Sequence, residues 1–535
     1  MTISLFEQIQ TIYRQHDNAA LLVLLDSVAK QLRTTHDDTN LALPQRAQAL
    51  AAIRLPDDYW RIFKHMYWHD AEVPVDFQLV ADQYRAQLEK QHGVVGMSEQ
   101  NIWLWDDKTA QPMVVLNQQS KKRYRSKWRQ LQQLWRVLWA LPKVWWCYRK
   151  IVRQSFAQTV TLTNRIGIAL QADQAEHELP LLVQLQNIPV LLRLARHETE
   201  IRWQTTITLI EKLHMQGNRV AVALLQDREA ILHPEKWRVF LQSVIPKIYD
   251  KTEWLEVGHA INRVKWGIWE ISEYCQLVKI AFEFKAQYPK LRFVGPAVID
   301  FEWYRVIDVL RALPQEISFY GLSQHLYVDR RGAPENYQGK FSTLEKCAMG
   351  KAMASAFDCD GRYIISEMNW PLQDTGIWSP IGSPYTAPEW FRDRPGVTEE
   401  EYANYLIRYL AICLCSGHVE QVFIWRLTAH GFGLVDDQDQ WRLRPAFFAL
   451  KQFINILGNS TFVERVLSDT NSYLLQFQRE QQKIILAWVV KDSGVVKLPF
   501  VNYHRQNYIG EIELVSEIVT LTEQPSYFFE DQSVV

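Results

Sequence analysis

The stretch from Arg362 to Pro371, RYIISEMNWP, holds the first candidate for chemistry. Tyr363, Ile364 and Ile365 make a short apolar run suited to a parallel strand covered on both faces, and Pro371 stops it. Glu367 therefore falls near the C-terminal end of a strand, with Asn369 and Trp370 just beyond. Other polar and aromatic groups recur at the ends of similar runs. They are Arg193, Arg196 and His197; Gln226, Asp227 and Glu229; His259, Asn262 and Arg263; Asp300, Glu302 and Trp303; His325 and Tyr327; and Trp425 and Arg426. Carboxylates ringed by Trp, Tyr and His suit glycosidic bond chemistry, in which one carboxylate attacks and another donates a proton. Arg193 and Arg196 can hold a carboxylate or phosphate, or else pair with Glu367 or Asp227. Trp370 and Trp425 read as sugar platforms or as plugs at the mouth of the fold.

These groups converge only if the intervening chain alternates strand and helix. It does so from Arg165 onward. The expected strands are Arg165–Leu170, Pro189–Ala195, Arg219–Leu225, Trp254–Ala260, Leu291–Val298, Ile317–Leu322, Tyr363–Glu367 and Gln421–Trp425. Helical periodicity separates them, as over Glu200–Met215, Trp303–Ala312 and Glu400–Cys415. Eight such strands predict an α/β fold of the TIM type, an (α/β)8 barrel, whose active groups gather at the strands' C-terminal ends. A doubly wound open sheet is the rival, but no glycine-rich phosphate fingerprint follows any of the strands. The segment from Arg442 to Phe453 reads as the closing helix. Short alternating runs after Gly458, such as Tyr473–Phe477 and Lys483–Val490, predict an antiparallel β-domain. The division expected is an α-helical region over 1–95, a β-hairpin and basic helical segment over 96–159, the barrel over 160–457 and a β-sandwich-like domain over 458–535.

Residues 160–535 resemble a clan A glycoside hydrolase, nearest the xylosidase–iduronidase type. The likeness is carried by the strand-seven segment around Glu367, the strand-four segment EVGHAINR from Glu256 to Arg263, His325-Leu326-Tyr327, Phe423-Ile424-Trp425 and RPAFFALK from Arg444 to Lys451. The resemblance implies Glu367 as nucleophile, with Arg193, His259, His325, Tyr327, Trp370 and Trp425 shaping the sugar subsite. One departure matters. Where that family has Asn-Glu, this chain has His259-Ala260, and alanine cannot serve as the general acid/base. His259, Glu302 and Glu229, from neighbouring strand ends, are the candidates for a displaced acid. Glu256 is placed about 13 Å down its strand by the extended rise per residue, inside the barrel. The expected protein is glycosidase-like, with enzymatic hydrolysis left open; the alternative is a non-catalytic glycan- or glycolipid-binding protein at a membrane surface.

Composition sets the remaining bounds. The net charge is −1, no run reaches the length of a membrane span, and the six cysteines are scattered without zinc-ligand spacing, the usage of a reducing, cytoplasmic compartment. No cofactor, metal or nucleic acid is called for. His65 and His69 share a helix face, but no third ligand is evident, so they read as ordinary helix residues. The aromatic load is high, with 21 Trp, 22 Tyr and 23 Phe, which suits stacking on sugars. Residues 121–153 are rich in Lys and Arg, and no acidic residue occurs between Asp107 and Asp173. Trp128, Leu131, Trp135 and Leu138 fall on one helical face, which Pro142 is expected to break or kink. That face either packs on the barrel or meets an anionic membrane at the inner surface. The Asn101–Leu116 hairpin is expected to extend the C-terminal sheet, because a lone hairpin is marginal in water. The loop Leu372–Pro395, with Trp378, Tyr385 and Trp390, reads as a substrate lid.

Overall fold

The computed structural model describes residues 102–106, 110–115, 126–328, 332–373, 375, 396–468 and 470–530. The expected N-terminal helices, the His65–His69 pair, the basic run at 121–125 and most of the expected lid lie outside the described residues. The described chain falls into two units, the hairpin in one and residues 128–372 with 396–530 in the other.

In the first unit, β1 (Ile102–Asp106) and β2 (Gln111–Val115) pair antiparallel from Ile102↔Val115 to Asp106↔Gln111. They form a two-stranded sheet of their own. The expectation that they extend the C-terminal sheet is thus not met, since that sheet draws its strands from residues 160–530.

The second unit opens with α1 (Lys127–Val152), which continues unbroken through Pro142. The expected break is absent because Pro142 sits on the solvent face, where water can serve the carbonyl it leaves without a partner. Val137, Ala140, Val144 and Tyr148 form the buried stripe of α1. After a two-residue strand, β3 (Val160–Thr161), come the barrel strands. They are β4 (Ile166–Ala169), β5 (Val190–Ala195), β6 (Val220–Leu225), β7 (Trp254–Val257), β8 (Phe293–Ile299), β9 (Gly321–His325), β10 (Tyr363–Met368) and β11 (Gln421–Ile424). Each pairs in parallel with its sequence neighbour, and β11 closes on β4 through Val422↔Ile166 and Ile424↔Ile168. The protein is therefore a TIM (α/β)8 barrel. The helices that follow the strands start where their sequences supply caps. Glu270 with Glu273, Ser342 with Glu345 and Thr398 with Glu401 form reciprocal capping boxes.

Seven of the strands lie where the apolar runs place them. The sixth is displaced from Ile317–Leu322 to Gly321–His325. Its residues Ser323 and Gln324 are polar yet buried, and Gln324 is held by the Tyr363 hydroxyl at 3.1 Å and by the Asp300 carbonyl at 2.7 Å. Hydrophobicity alone could not identify that strand.

The chain ends in a seven-stranded antiparallel sheet that takes in β3 at one edge. It is one hydrogen-bonded sheet with two apolar faces. Leu475, Phe477, Ile484, Leu486 and Trp488 join the barrel's core, while Leu474, Ile485, Ala487 and Val489 form a second cluster with Val496, Leu498, Tyr503, Val519, Leu521 and Phe528. One charged lock joins this sheet to the barrel. Arg408, fully buried on the helix Glu399–Cys415, pairs with Glu335, with Nε–Oε1 at 3.0 Å, and donates to the Val490 carbonyl at 3.1 Å. The Trp488 indole N–H donates to the same Glu335 carboxylate at 2.8 Å.

Removing one partner of a buried ion pair strands the other without compensation, at a cost of about 3–5 kcal/mol. Glu335→Ala is expected to lower the stability of the barrel and terminal sheet by that order, whereas Glu335→Leu combined with Arg408→Met recovers most of it. Urea unfolding of the three proteins checks this.

Candidate functional site

Seven side chains from five strands and their C-terminal ends meet in the mouth of the barrel. Glu367, on β10, is the centre. Its Oε2 accepts from Nη2 of Arg193 on β5, and its Oε1 accepts from the Tyr327 hydroxyl just beyond β9. Both oxygens of a buried carboxylate are thus oriented by donors. The Arg193 guanidinium also lies on the face of Trp425, 3.2 Å from the ring centroid, so the end of β11 fixes the cation that fixes Glu367.

His259 follows β7. The chain leaves strand geometry at Gly258, whose φ of +85° has no steric penalty without a Cβ. The turn brings the His259 Nε2 to 3.4 Å from Arg193 Nη2 and 3.8 Å from Glu367 Oε2. A guanidinium can only donate, so Nε2 accepts and the ring's proton sits on Nδ1. Burial, then the charges of Arg193, His325 and Lys265, drive the His259 pKa well below the ordinary value. His259 is a neutral imidazole, and therefore no source of a proton near neutral pH. The His325 ring lies 4.4 Å from it, and His325 Nε2 is 3.5 Å from Glu256 Oε2.

Glu256 lies on its strand where counting along the chain places it. It does lie inside the barrel, fully buried, but the turn at Gly258 brings His259 back over it. Its second oxygen accepts from the Ser366 hydroxyl at 2.6 Å. Ser366 and Glu367 are adjacent in sequence, and a regular strand would send them to opposite faces. The pairing of β10 shifts register against both neighbours, between Ile365 and Met368 on one side and between Ile365 and Glu367 on the other. Such a bulge re-aims a side chain, and here it lets both residues face the interior.

The donor atoms of Glu256, His259 and His325 lie within 4.8 Å of one another, a set that by type alone could hold a divalent ion. The Arg193 guanidinium at 3.4 Å from His259 Nε2 opposes a cation there. Several buried polar atoms around the site make no hydrogen bond within the protein. They are Nδ1 of His259, Nδ1 of His325, both amide atoms of Asn369 and Nη1 of Arg426. They include both donors and acceptors. Asn369 and Glu256 were not singled out as binding groups in the sequence; for Glu256 a polar residue in an otherwise apolar strand was the available signal, and for Asn369 its place just past the end of β10.

Four expected residues are placed elsewhere. Trp370 is fully buried, donates to the Gly332 carbonyl at 2.9 Å and packs among Tyr402, Tyr405 and Tyr409 at ring separations of 5.7, 6.0 and 5.8 Å. It plugs the wall behind Glu367 and presents no open face. Arg196 pairs in two-pronged fashion with Asp227, whose carboxylate also caps the short helix at Arg228. Glu302 is held by Arg263 at 2.6 Å and lies 3.9 Å from Arg305. Glu229 is half exposed and pairs with Lys236 at 2.6 Å, a bond that lowers its pKa.

A second carboxyl cluster flanks the mouth between the ends of β4 and β11. Glu178 is fully buried, and desolvation raises its pKa to about 8. Its protonated form completes a chain. The Gln171 N–H donates to Oε2 at 2.7 Å, the carboxyl proton goes to the Thr428 hydroxyl, and Thr428 donates to Gln174 Oε1 at 2.5 Å.

The matches to known proteins are distant. No family model and no curated relative matches the sequence. Among solved structures the chain is similar to the β-glycosidase of the hyperthermophile Thermosphaera aggregans, at 9% identity over 54% of this chain and 85% of that one, with a TM-score of 0.36. It is also similar to N2152 of Neocallimastix frontalis, at 12% identity over 69% and 96%, TM-score 0.41. A third is Cel5A of Thermotoga maritima, at 11% identity over 54% and 97%, TM-score 0.36. The barrel rests on its own strand pairing, and the reading of the site rests on its side chains.

The buried titratable groups give a pH profile of stated sign. His259 is pushed well down, and burial lowers His197 and His418 to about 4, against 6.5 in the unfolded chain. Below pH 6.5 the unfolded state takes up protons that the folded state refuses, so stability falls as the pH drops. Glu178 acts oppositely. Its folded pKa of about 8 exceeds the unfolded 4.5, so its contribution is full below 4.5 and is lost as pH rises through 8. The expected maximum therefore lies near pH 6.5. Thermal melts should show a decline between pH 6.5 and about 8 that disappears in Glu178→Gln, whereas the loss above about pH 9, where buried thiols such as Cys275 and Cys359 are also held protonated, should remain.

Proposed function

We propose that this barrel acts on or binds a carbohydrate at its C-terminal face, and that Glu367 is the nucleophile of a retaining glycosidase-like site. The observation that carries the reading is the grip on Glu367. Two donors from different strands, Arg193 and Tyr327, hold one oxygen each of a buried carboxylate. Preorganised donors of this kind fix the attacking lone pair before a substrate arrives. Arg193, His259, His325, Tyr327 and Trp425 line the subsite, with Asn369 added to them.

The proton donor is the weak point of the mechanism. Ala260 is fully buried, with φ of +42°. His259 is neutral with its proton on Nδ1, too weak an acid for the task. Glu302 and Glu229 already serve basic partners. With no acid assigned among the described residues, the half-reaction expected of the site is one whose leaving group needs no proton. Glu367 Oε attacks C1, the C1–O bond breaks, and the electron pair leaves on the aglycone oxygen.

An aryl glycoside with an acidic phenol is expected to label Glu367 covalently. Turnover of ordinary alkyl glycosides of the same sugar should be slower by roughly the 10²–10⁴-fold that general-acid assistance contributes. Mass spectrometry of the protein after incubation with a panel of 2-fluoro aryl glycosides reads the label, and Glu367→Gln abolishes it while leaving binding. If alkyl glycosides turn over at ordinary enzyme rates, a displaced acid exists, and Glu302→Gln and Glu229→Gln identify it.

The second reading is binding without hydrolysis, of a glycan or a glycolipid at a membrane surface. It is favoured by the absence of an assigned acid among the described residues. No label on Glu367 from any sugar that binds would establish it over the first.

A further inference from the structure

We propose that α1 is a lipid-docking element and that its outer face lies on the surface of an anionic phospholipid bilayer. This goes beyond the reading of the barrel and holds whether or not the barrel hydrolyses. The helix is fastened to the barrel by the stripe Val137, Ala140, Val144 and Tyr148. Two ion pairs flank the stripe, Arg129 to Glu270 at 2.6 Å and Arg136 to Asp308 at 2.8 Å. Tyr148 adds a ring contact with Phe341 at 5.8 Å. The docking face is thus accounted for, and it is not the tryptophan face.

Among the described residues the opposite stripe has no packing role. Trp128, Trp135, Trp139 and Trp146 are 66, 63, 69 and 68% exposed, and Leu131, Leu134 and Leu138 between them are exposed as well. From Trp128 to Trp146 the stripe runs about 27 Å along the helix axis at 1.5 Å per residue. Apolar surface on this scale marks an interaction site. Charge chooses the partner. Lys143, Arg149, Lys150 and Arg153 are exposed along and just beyond the helix, and no acidic residue occurs anywhere from 108 to 172. A second copy of the same face would bring like charges together. An anionic bilayer answers the cations, while indole rings are suited to the headgroup boundary and leucines to the acyl layer. Among the described residues no helix is long and apolar enough to cross a membrane, so α1 lies on the surface. Glu270 and Phe341 precede barrel helices, on the side where the pocket opens.

The test is flotation of the full chain with vesicles of phosphatidylcholine containing about one-third phosphatidylglycerol, against pure phosphatidylcholine. Wild type is expected to float with the anionic vesicles and to be released as salt rises. Replacing Lys143, Arg149 and Lys150 by Gln should weaken partition on the order of 10²-fold, from about fivefold per charge. The variant Trp128→Ser, Trp135→Ser, Trp139→Ser, Trp146→Ser should lose binding with its melting temperature unchanged, because all four rings are exposed. In wild type, lipids brominated along the acyl chain should quench tryptophan emission, and in the four-Trp variant they should not. Failure of wild type to float on anionic vesicles overturns the proposal, as does equal flotation of the four-Trp variant. A wild-type dimer that the four-Trp variant converts to monomer, with no vesicle binding by either, assigns the face to self-association and overturns it also.

Discussion

A carboxylate removed from water must be answered by charge or by hydrogen bonds, and in this protein the answer to Glu367 organises the whole barrel mouth. Its two oxygens need Arg193 and Tyr327 at once, from β5 and from beyond β9. Arg193 is itself buried, which pulls its pKa down while Glu367 holds it up, so the cation depends on the anion as much as the reverse. Trp425 supports the guanidinium face, and His259 takes one of its N–H groups. Removing any one of these groups leaves another without a partner, in a place water cannot easily reach. The constraint makes the site stiff before any ligand enters it.

A second layer holds the first from below. Glu256 sits under His259 and His325 and is tied to Ser366, so β7, β9 and β10 are joined through the interior as well as through their ladders. Below that the interior turns aromatic. The Trp254 indole N–H donates to Gln421 at 2.9 Å across the barrel, and its ring meets Phe423 edge-on at 5.4 Å. The side chains pointing inward thus grade from aromatic at the floor to ionised at the mouth. The bulge in β10 makes that gradient possible, because it allows consecutive residues to serve two different layers.

Much of this was legible from residue order, for a physical reason. In a barrel of parallel strands covered on both faces, apolar runs mark the strands and the polar residues that end them must converge. Arg193, His259, His325, Tyr327, Glu367 and Trp425 were found in this way, and the structure brings them together. The failures each have a cause. The sixth strand was displaced because Ile317 and Phe319 outweigh Ser323 and Gln324 in any hydrophobic count, although Ser323 and Gln324 are fully buried too and belong to the strand. Trp370 looked like a platform because its type suits one, but three tyrosines from the helix Glu399–Cys415 surround it, and that helix lies about 30 residues away in sequence. The link from Glu256 to Ser366 depends on a bulge and on the +85° φ of Gly258, neither of which leaves a mark in composition. Pro142 was read as a break because the rule concerns the lost hydrogen bond; it takes no account of which side of the helix faces water.

The charges of the site also constrain what it can favour. Glu256 and Glu367 contribute two carboxylates, Arg193 one cation, and His259 is neutral by burial. Lys265, buried near His259, is the remaining cation that acts on that ring. A third carboxylate at position 260 would add an anion to a pocket whose cations are already matched. Retaining it would require either a bound proton or another basic partner, since an unmatched buried charge is costly. Alanine at 260 and histidine at 259 are therefore mutually consistent. The imidazole fills space and offers an N–H without adding charge, and the pocket remains stable with Glu367 fully engaged by Arg193. In that state the Arg193 cation is spent on Glu367, and Arg426 Nη1 is the buried cationic donor near the site that makes no hydrogen bond within the protein.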